Sequence, residues 1–158
     1  MTRRARGFTL IELVITVAIV GLLATLAAPI GELAVRRGRE HELRVALREI
    51  RTALDAYKAA ADAGRVATEL GASGYPPSLA VLVEGVEDVK SADPRKIYFL
   101  RRIPRDPFFP DSNAPAASTW GLRSYASPAD APAAGEDVYD VHSLAPGAGI
   151  DGVPYREW

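Results

Sequence analysis

Glu12 is the residue in this chain whose type and place ask for a chemical explanation. It stands in Phe8-Thr9-Leu10-Ile11-Glu12-Leu13-Val14-Ile15, and residues 13–31 after it carry no charge. A charged side chain at a bilayer centre costs about 2.5–3.5 kcal/mol on insertion scales for Asp, Lys or Arg. Such a residue either meets a partner or reaches back to the headgroup boundary, and these residues alone leave both open. The other reactive side chains are sparse. His41 lies between Glu40 and Glu42 and reads as solvated. His142 and Ser143 are neighbours in a strand-like stretch, so they point to opposite faces and make a poor nucleophile–base pair. Asp151 is the sole acid in residues 142–155. Cysteine is absent, which excludes disulfides and thiolate metal sites. There is no Gly-rich phosphate loop and no His/Asp/Glu set with metal spacing, so no enzyme is expected.

The elements that must position Glu12 begin with a basic leader. Arg3, Arg4 and Arg6 fall in residues 1–7 with no acid among them. Residues 13–31 as helix span roughly 29 Å at ~1.5 Å per residue, close to the ~30 Å hydrocarbon core of a bilayer. Arginines before the run leave Met1 cytoplasmic by the positive-inside rule, although Arg36, Arg37 and Arg39 beyond it weaken that signal. The apolar run is long for a removable signal and no clean A-x-A site follows; Ala24-Thr25-Leu26-Ala27-Ala28 keeps a secretory signal as the lesser reading. The helical pattern then continues. Leu43, Leu47, Ile50, Leu54, Tyr57 and Ala61 define one face of an amphipathic helix, widened by Ala46, Ala53 and Ala60. Arg44, Arg48, Arg51, Asp55, Lys58 and Asp62 lie largely off it. A helix over residues 9–63 is expected, stopped at Gly64. Pro29 removes one backbone hydrogen bond and should kink it, with Gly21, Gly31 and Gly38 as further weak points.

Residues 64–77, rich in Gly, Ala and Pro, read as a loop, and residues 78–85 as a short helix with Ser78 as N-cap and Gly85 as stop. Residues 86–119 read as mostly irregular. Strand signals fall at 120–127, at 138–143 and weakly at 153–158. In the middle strand the face of Tyr139 and Val141, shared with Ser143, is the one expected to be buried. The fold class is α+β: a long N-terminal helix packed on a small antiparallel sheet of about three strands. The length of 158 residues fits one domain with appendages, and a net charge of -1 leaves no electrostatic footprint for nucleic acid.

Arg6-Gly7-Phe8-Thr9-Leu10-Ile11-Glu12 resembles the processing site of type IV pilins and type II secretion pseudopilins. The resemblance implies cleavage after Gly7 by a prepilin peptidase, N-methylation of Phe8, and an assembly role for Glu12, whose carboxylate meets the N-terminal amine of a neighbouring subunit. Pro29 sits where that family often has a proline. Three more segments resemble the major pseudopilin, the G subunit: Tyr75-Pro76-Pro77, Pro104-Arg105-Asp106-Pro107-Phe108, and Trp120-Gly121 with Tyr125. So does the strand from Tyr139 to Leu144. One extra residue separates Gly121 from Tyr125, and a Pro- and Ala-rich insert at 109–119 parts motifs that the family joins directly.

The implied organisation is a leader at 1–7, a transmembrane assembly helix at 8–31, its amphipathic continuation at 32–63 and a periplasmic soluble domain at 64–158. The implied location is the bacterial inner membrane, with a single span. The implied partners are other copies, other pseudopilins, the prepilin peptidase and the inner-membrane secretion platform. The G subunit's last loop binds calcium. Here Asp151 is the one candidate ligand, far short of the six to eight oxygens that calcium takes, and Asp137 and Asp140 help only if the fold brings them near. No cofactor is therefore expected. A surface pilin is the nearest rival, disfavoured by the missing cysteines, and an uncut single-pass membrane protein that binds a ligand is the rival of another class.

Overall fold

The structure, a computed structural model, describes residues 7–158, with residues 26–30 described only as part of a helix. The expected leader residues before Gly7, and Pro29 with its kink, therefore lie outside the described residues. The chain divides into two units, Met1–Gly38 and Arg39–Trp158. The architecture is α+β and pilin-like, a long N-terminal helix followed by small antiparallel sheets.

Helix α1 runs from Leu10 to Asp62. In the first unit, residues 7–25 are exposed along their whole length, as an apolar helix with no cover must be. In the second unit the helical spacing of apolar residues has its expected consequence. Leu43, Leu47, Ile50, Leu54, Tyr57 and Ala61 are all buried, and so are Ala46, Ala53 and Ala60. The helix ends where Gly64 takes a φ of +65°, a conformation that favours glycine.

Against this stripe pack short elements from the rest of the chain. Helix α2, Leu79–Glu84, contributes Leu79 and Leu82. Ser78 has extended N-cap backbone but makes no side-chain cap hydrogen bond. Gly85 closes α2 at φ +74°, donating its N–H to the Val81 carbonyl. A Cβ there would lie 2.8 Å from the Tyr98 ring, so both the conformation and the space call for glycine. Strands β1 (Val86–Glu87) and β2 (Lys96–Ile97) form one antiparallel pair. Strands β3 (Trp120–Arg123) and β4 (Asp140–Ser143) form another, with Trp120 opposite Ser143 and Arg123 opposite Asp140.

The sheet differs from expectation in three ways. There are two two-stranded sheets in place of one of about three strands. The expected strand at 153–158 is instead a 3₁₀ turn, Tyr155–Glu157, with a single bridge between Ala148 and Pro154. Pro154 has no N–H to extend a ladder, and Tyr155 turns into the core. The expected strand at 120–127 stops at Arg123, because the Ser127 N–H folds back to the Ser124 carbonyl in a turn before Pro128. In β4, Val141 and Ser143 are buried and Tyr139 just before them is half-buried, which is the face the alternation selects. Val138 is buried as well, because it lies outside β4 and donates its N–H to the Pro76 carbonyl at 2.8 Å.

Ile50 touches solvent nowhere. Ile50→Ala should cost about 2–5 kcal/mol through lost transfer energy and the cavity left behind. Exposed Arg48→Ala should stay within about 0.5 kcal/mol. Urea denaturation followed by tryptophan fluorescence checks both.

Candidate functional site

The first turn of α1 is built around Glu12. Residues 7–9 are non-helical and Leu10 opens the helix. Glu12 donates its backbone N–H to Thr9 Oγ1 at 3.3 Å, and Thr9 donates its N–H to Glu12 Oε2 at 3.5 Å. This reciprocal pair is a capping box, which satisfies two of the donors that a helix start leaves open. A carboxylate in the first turn also suits the positive end of the helix dipole. Further along, Thr16 Oγ1 donates to the Glu12 carbonyl at 2.7 Å. Thr9 has no place in the expectations above, although its signal is in the sequence: Thr-x-x-Glu just ahead of an apolar run is the capping-box pattern.

Around Glu12 the apolar side chains stand open. Phe8 is 78% exposed and Leu10 82%, and Ile11, Leu13, Val14, Ile15, Val17, Ile19, Val20, Leu22 and Leu23 are exposed too. A continuous apolar surface of this kind marks a lipid or protein contact. Residues 2–28 match the prokaryotic N-terminal methylation motif. That motif supports a type IV pilin-like chain, cut by a prepilin peptidase and methylated at its new N-terminus. No curated protein and no solved structure matches the chain. Among the described residues no helix is long and apolar enough to cross a membrane. The expected span at 13–31 includes residues 26–30, which lie outside the described side chains. The apolar helix before them, residues 10–25, reaches about 24 Å at ~1.5 Å per residue.

Three of the motif-like segments of the second unit converge on a second constellation. Asp106, from Pro104-Arg105-Asp106-Pro107-Phe108, is 2% exposed. Its Oδ1 accepts the Phe108 N–H at 2.8 Å, and its Oδ2 accepts the hydroxyl of buried Ser143 on β4. Its own N–H goes to Thr119 Oγ1 at 3.2 Å. Trp120 Nε1 donates to the Pro104 carbonyl at 2.8 Å. The insert at 109–119 is fastened by Arg105, which donates to the carbonyls of Ala114 and Asp111. His142, on the opposite face of β4 from Ser143, lies over Gly121, where a Cβ would be 2.1 Å from its Nε2. The tyrosines of the other motifs also meet: Tyr75 stacks on Tyr125 at 5.9 Å and abuts Tyr139 edge-on at 5.0 Å.

The C-terminal loop is held by α1. Asp151 Oδ2 pairs with Arg44 Nη2 at 3.2 Å, while Oδ1 accepts the Val153 N–H at 3.1 Å. The Arg44 guanidinium lies 4.0 Å over the Trp158 ring. Buried Glu40 accepts the Ile150 N–H at 2.9 Å and the Tyr155 hydroxyl at 3.1 Å. Arg51 donates to Asp140 at 2.7 Å, to the Val141 carbonyl at 3.2 Å and to the Trp158 carbonyl at 2.7 Å. Sequence gives Glu40 away only by its place: three residues before Leu43, it continues the buried stripe.

These residues do not fit calcium. Asp151 is occupied by a guanidinium and a backbone N–H, Asp140 by Arg51, and Asp137 by the Tyr125 N–H at 2.7 Å. Among the described residues no group of three or more His, Cys, Asp or Glu could hold a metal ion.

Two titrating groups bear on this unit. Asp88 is held below the ordinary carboxylate range by its hydrogen bond from Arg65, at 2.6 Å. Burial lowers the His142 pKa; Asp140 opposes that effect and Arg51 adds to it. The folded His142 thus binds its proton only below the ordinary value of ~6.5, whereas the unfolded chain takes it up at that value. Stability from this group is full above pH ~6.5 and falls as the pH drops from there toward the folded pKa. His142→Gln should show a smaller loss of stability between pH 7 and pH 5 than the natural chain, read from urea midpoints at each pH. Ser143→Ala removes a donor from a buried carboxylate and should cost about 1–3 kcal/mol in the same assay.

Proposed function

We propose that this chain is a structural subunit of a type II secretion pseudopilus. On this reading it is made as a precursor, anchored in the inner membrane by its apolar N-terminal helix and cut after Gly7. It then polymerises through that helix so that the fibre drives protein secretion, with its soluble domain facing the periplasm. It is not an enzyme but the substrate of one. Its partners are other copies, further pseudopilins, the prepilin peptidase and the inner-membrane secretion platform. The observation that carries the reading is the methylation motif over residues 2–28 laid on the start of a helix whose large apolar residues from Leu10 to Leu23 are exposed. The G-subunit-like segments support the pseudopilus form: Pro104–Phe108, Trp120 and Ser143 meet around Asp106, and Tyr75, Tyr125 and Tyr139 meet in a separate cluster.

Glu12 has a definite task here. Cleavage frees an α-amino group on Phe8, with an unperturbed pKa of ~8, and a second subunit's Glu12 supplies its counter-ion. The N-terminal sequence and intact mass of the membrane-extracted protein should show a chain that begins at Phe8 and carries one added methyl. A chain that still begins at Met1 would end the reading. Glu12→Ala should insert into the membrane normally and fail to build fibres, as scored by electron microscopy of material released from spheroplasts. Normal fibres from that variant would remove the pairing role.

A further inference from the structure

The loop between α1 and α2 presents a leucine with nothing over it. Leu70 is 106% exposed. It sits at the tip of a turn closed by the Ala72 N–H donating to the Glu69 carbonyl at 3.1 Å. Gly71 follows at φ +88°, the positive φ that the third position of a type II turn requires. The tip is thus a defined knob, with exposed Glu69 beside it.

The same unit contains a groove that none of the described residues fills. Val45, Glu49, Thr52 and Ala56 line one wall at helical spacing, and Phe99, Leu100 and Arg101 line the other, around a volume of about 560 Å³. Val45 is 45% exposed there. Arg48 and Arg101 are exposed along it, giving two guanidinia to the one carboxylate of Glu49. Among the described residues neither guanidinium has an acidic partner, and Glu69 has no basic one.

We propose that the groove receives the Glu69-Leu70-Gly71 turn of a second copy of this chain, an inference that rests on the fibre reading above. Leu70 enters between Thr52, Ala56 and Phe99, and Glu69 pairs with Arg48 and Arg101. Knob and groove are different patches of one surface, so the contact is heterologous and passes from copy to copy without closing on a pair. The knob's own chain leaves it open, and the unpartnered charges on the two patches are of opposite sign. The apolar helices supply cohesion in such a fibre, and this contact supplies register between soluble domains.

The natural chain has no cysteine, so paired cysteines report the contact cleanly. The full-length Leu70→Cys/Thr52→Cys variant, oxidised in assembled fibres, should give a ladder of cross-linked oligomers, while each single variant should not. Fibres visible by electron microscopy that yield no ladder from the double variant would overturn the contact and leave the fibre reading standing. So would cross-linking by Leu70→Cys alone, which would mean that like patches meet. Natural protein that forms no fibres would overturn both. Glu69→Arg should lower fibre yield about two- to fivefold, the range of an exposed ion pair. Adding Arg48→Glu and Arg101→Glu should restore it, and no restoration would overturn the charge pairing.

Discussion

Everything in the second unit depends on the buried stripe of α1. Two strands make a sheet that is marginal by itself in water. Both sheets here have two strands, and α2 is six residues long, so none of these pieces has a core of its own. They become stable only against Leu43, Leu47, Ile50, Leu54 and Tyr57. The polar residues next to that stripe matter for the same reason. Glu40 and Arg51 each bind backbone groups of the C-terminal segment, which has almost no ladder hydrogen bonds to rely on. The helix thus supplies both the apolar surface and the hydrogen-bond partners that a larger sheet would otherwise provide.

What was legible in the sequence follows the same division. Helical periodicity is a long-range, repeated signal, and it located α1 and its buried face to within a residue at each end. Gly64 and Gly85 were legible because a positive φ limits the choice of residue. The sheet was less so. Strand 120–127 was drawn too long because β-propensity says nothing of the turn that Ser124 and Ser127 form. The 153–158 segment reads as a strand by residue type, but its fate is set by Glu40, more than a hundred residues away. A side-chain-to-loop bond at that separation leaves no local pattern. Asp106 and Ser143 each lie inside a motif-like segment, but nothing local in the sequence pairs them. The capping box is legible as Thr9-x-x-Glu12 ahead of an apolar run, but the same glutamate also poses the question of a charge beside an apolar helix.

That question now has two energies to compare. The capping box gives Glu12 a partner in its own first turn, worth about 0.5–2 kcal/mol by the usual effect of removing an N-cap. The 3.5 Å separation of its Thr9 N–H···Oε2 arm places that bond at the outer limit of a hydrogen bond. An acid at the centre of a membrane helix costs about 2.5–3.5 kcal/mol on insertion scales, and one in the first turn costs less. The cap therefore offsets part of the cost and leaves a remainder. A cation close to the carboxylate can supply that remainder, since a full opposite charge adds a Coulomb attraction that a neutral backbone N–H lacks. On the pseudopilus reading, the cut after Gly7 makes such a cation one residue before Thr9. The amine of Phe8 on one helix and the carboxylate of Glu12 on the next then complete what the local cap leaves unfinished. A weak intramolecular cap suits this sequence of events, because it holds the carboxylate at the helix start and gives way readily to a stronger partner.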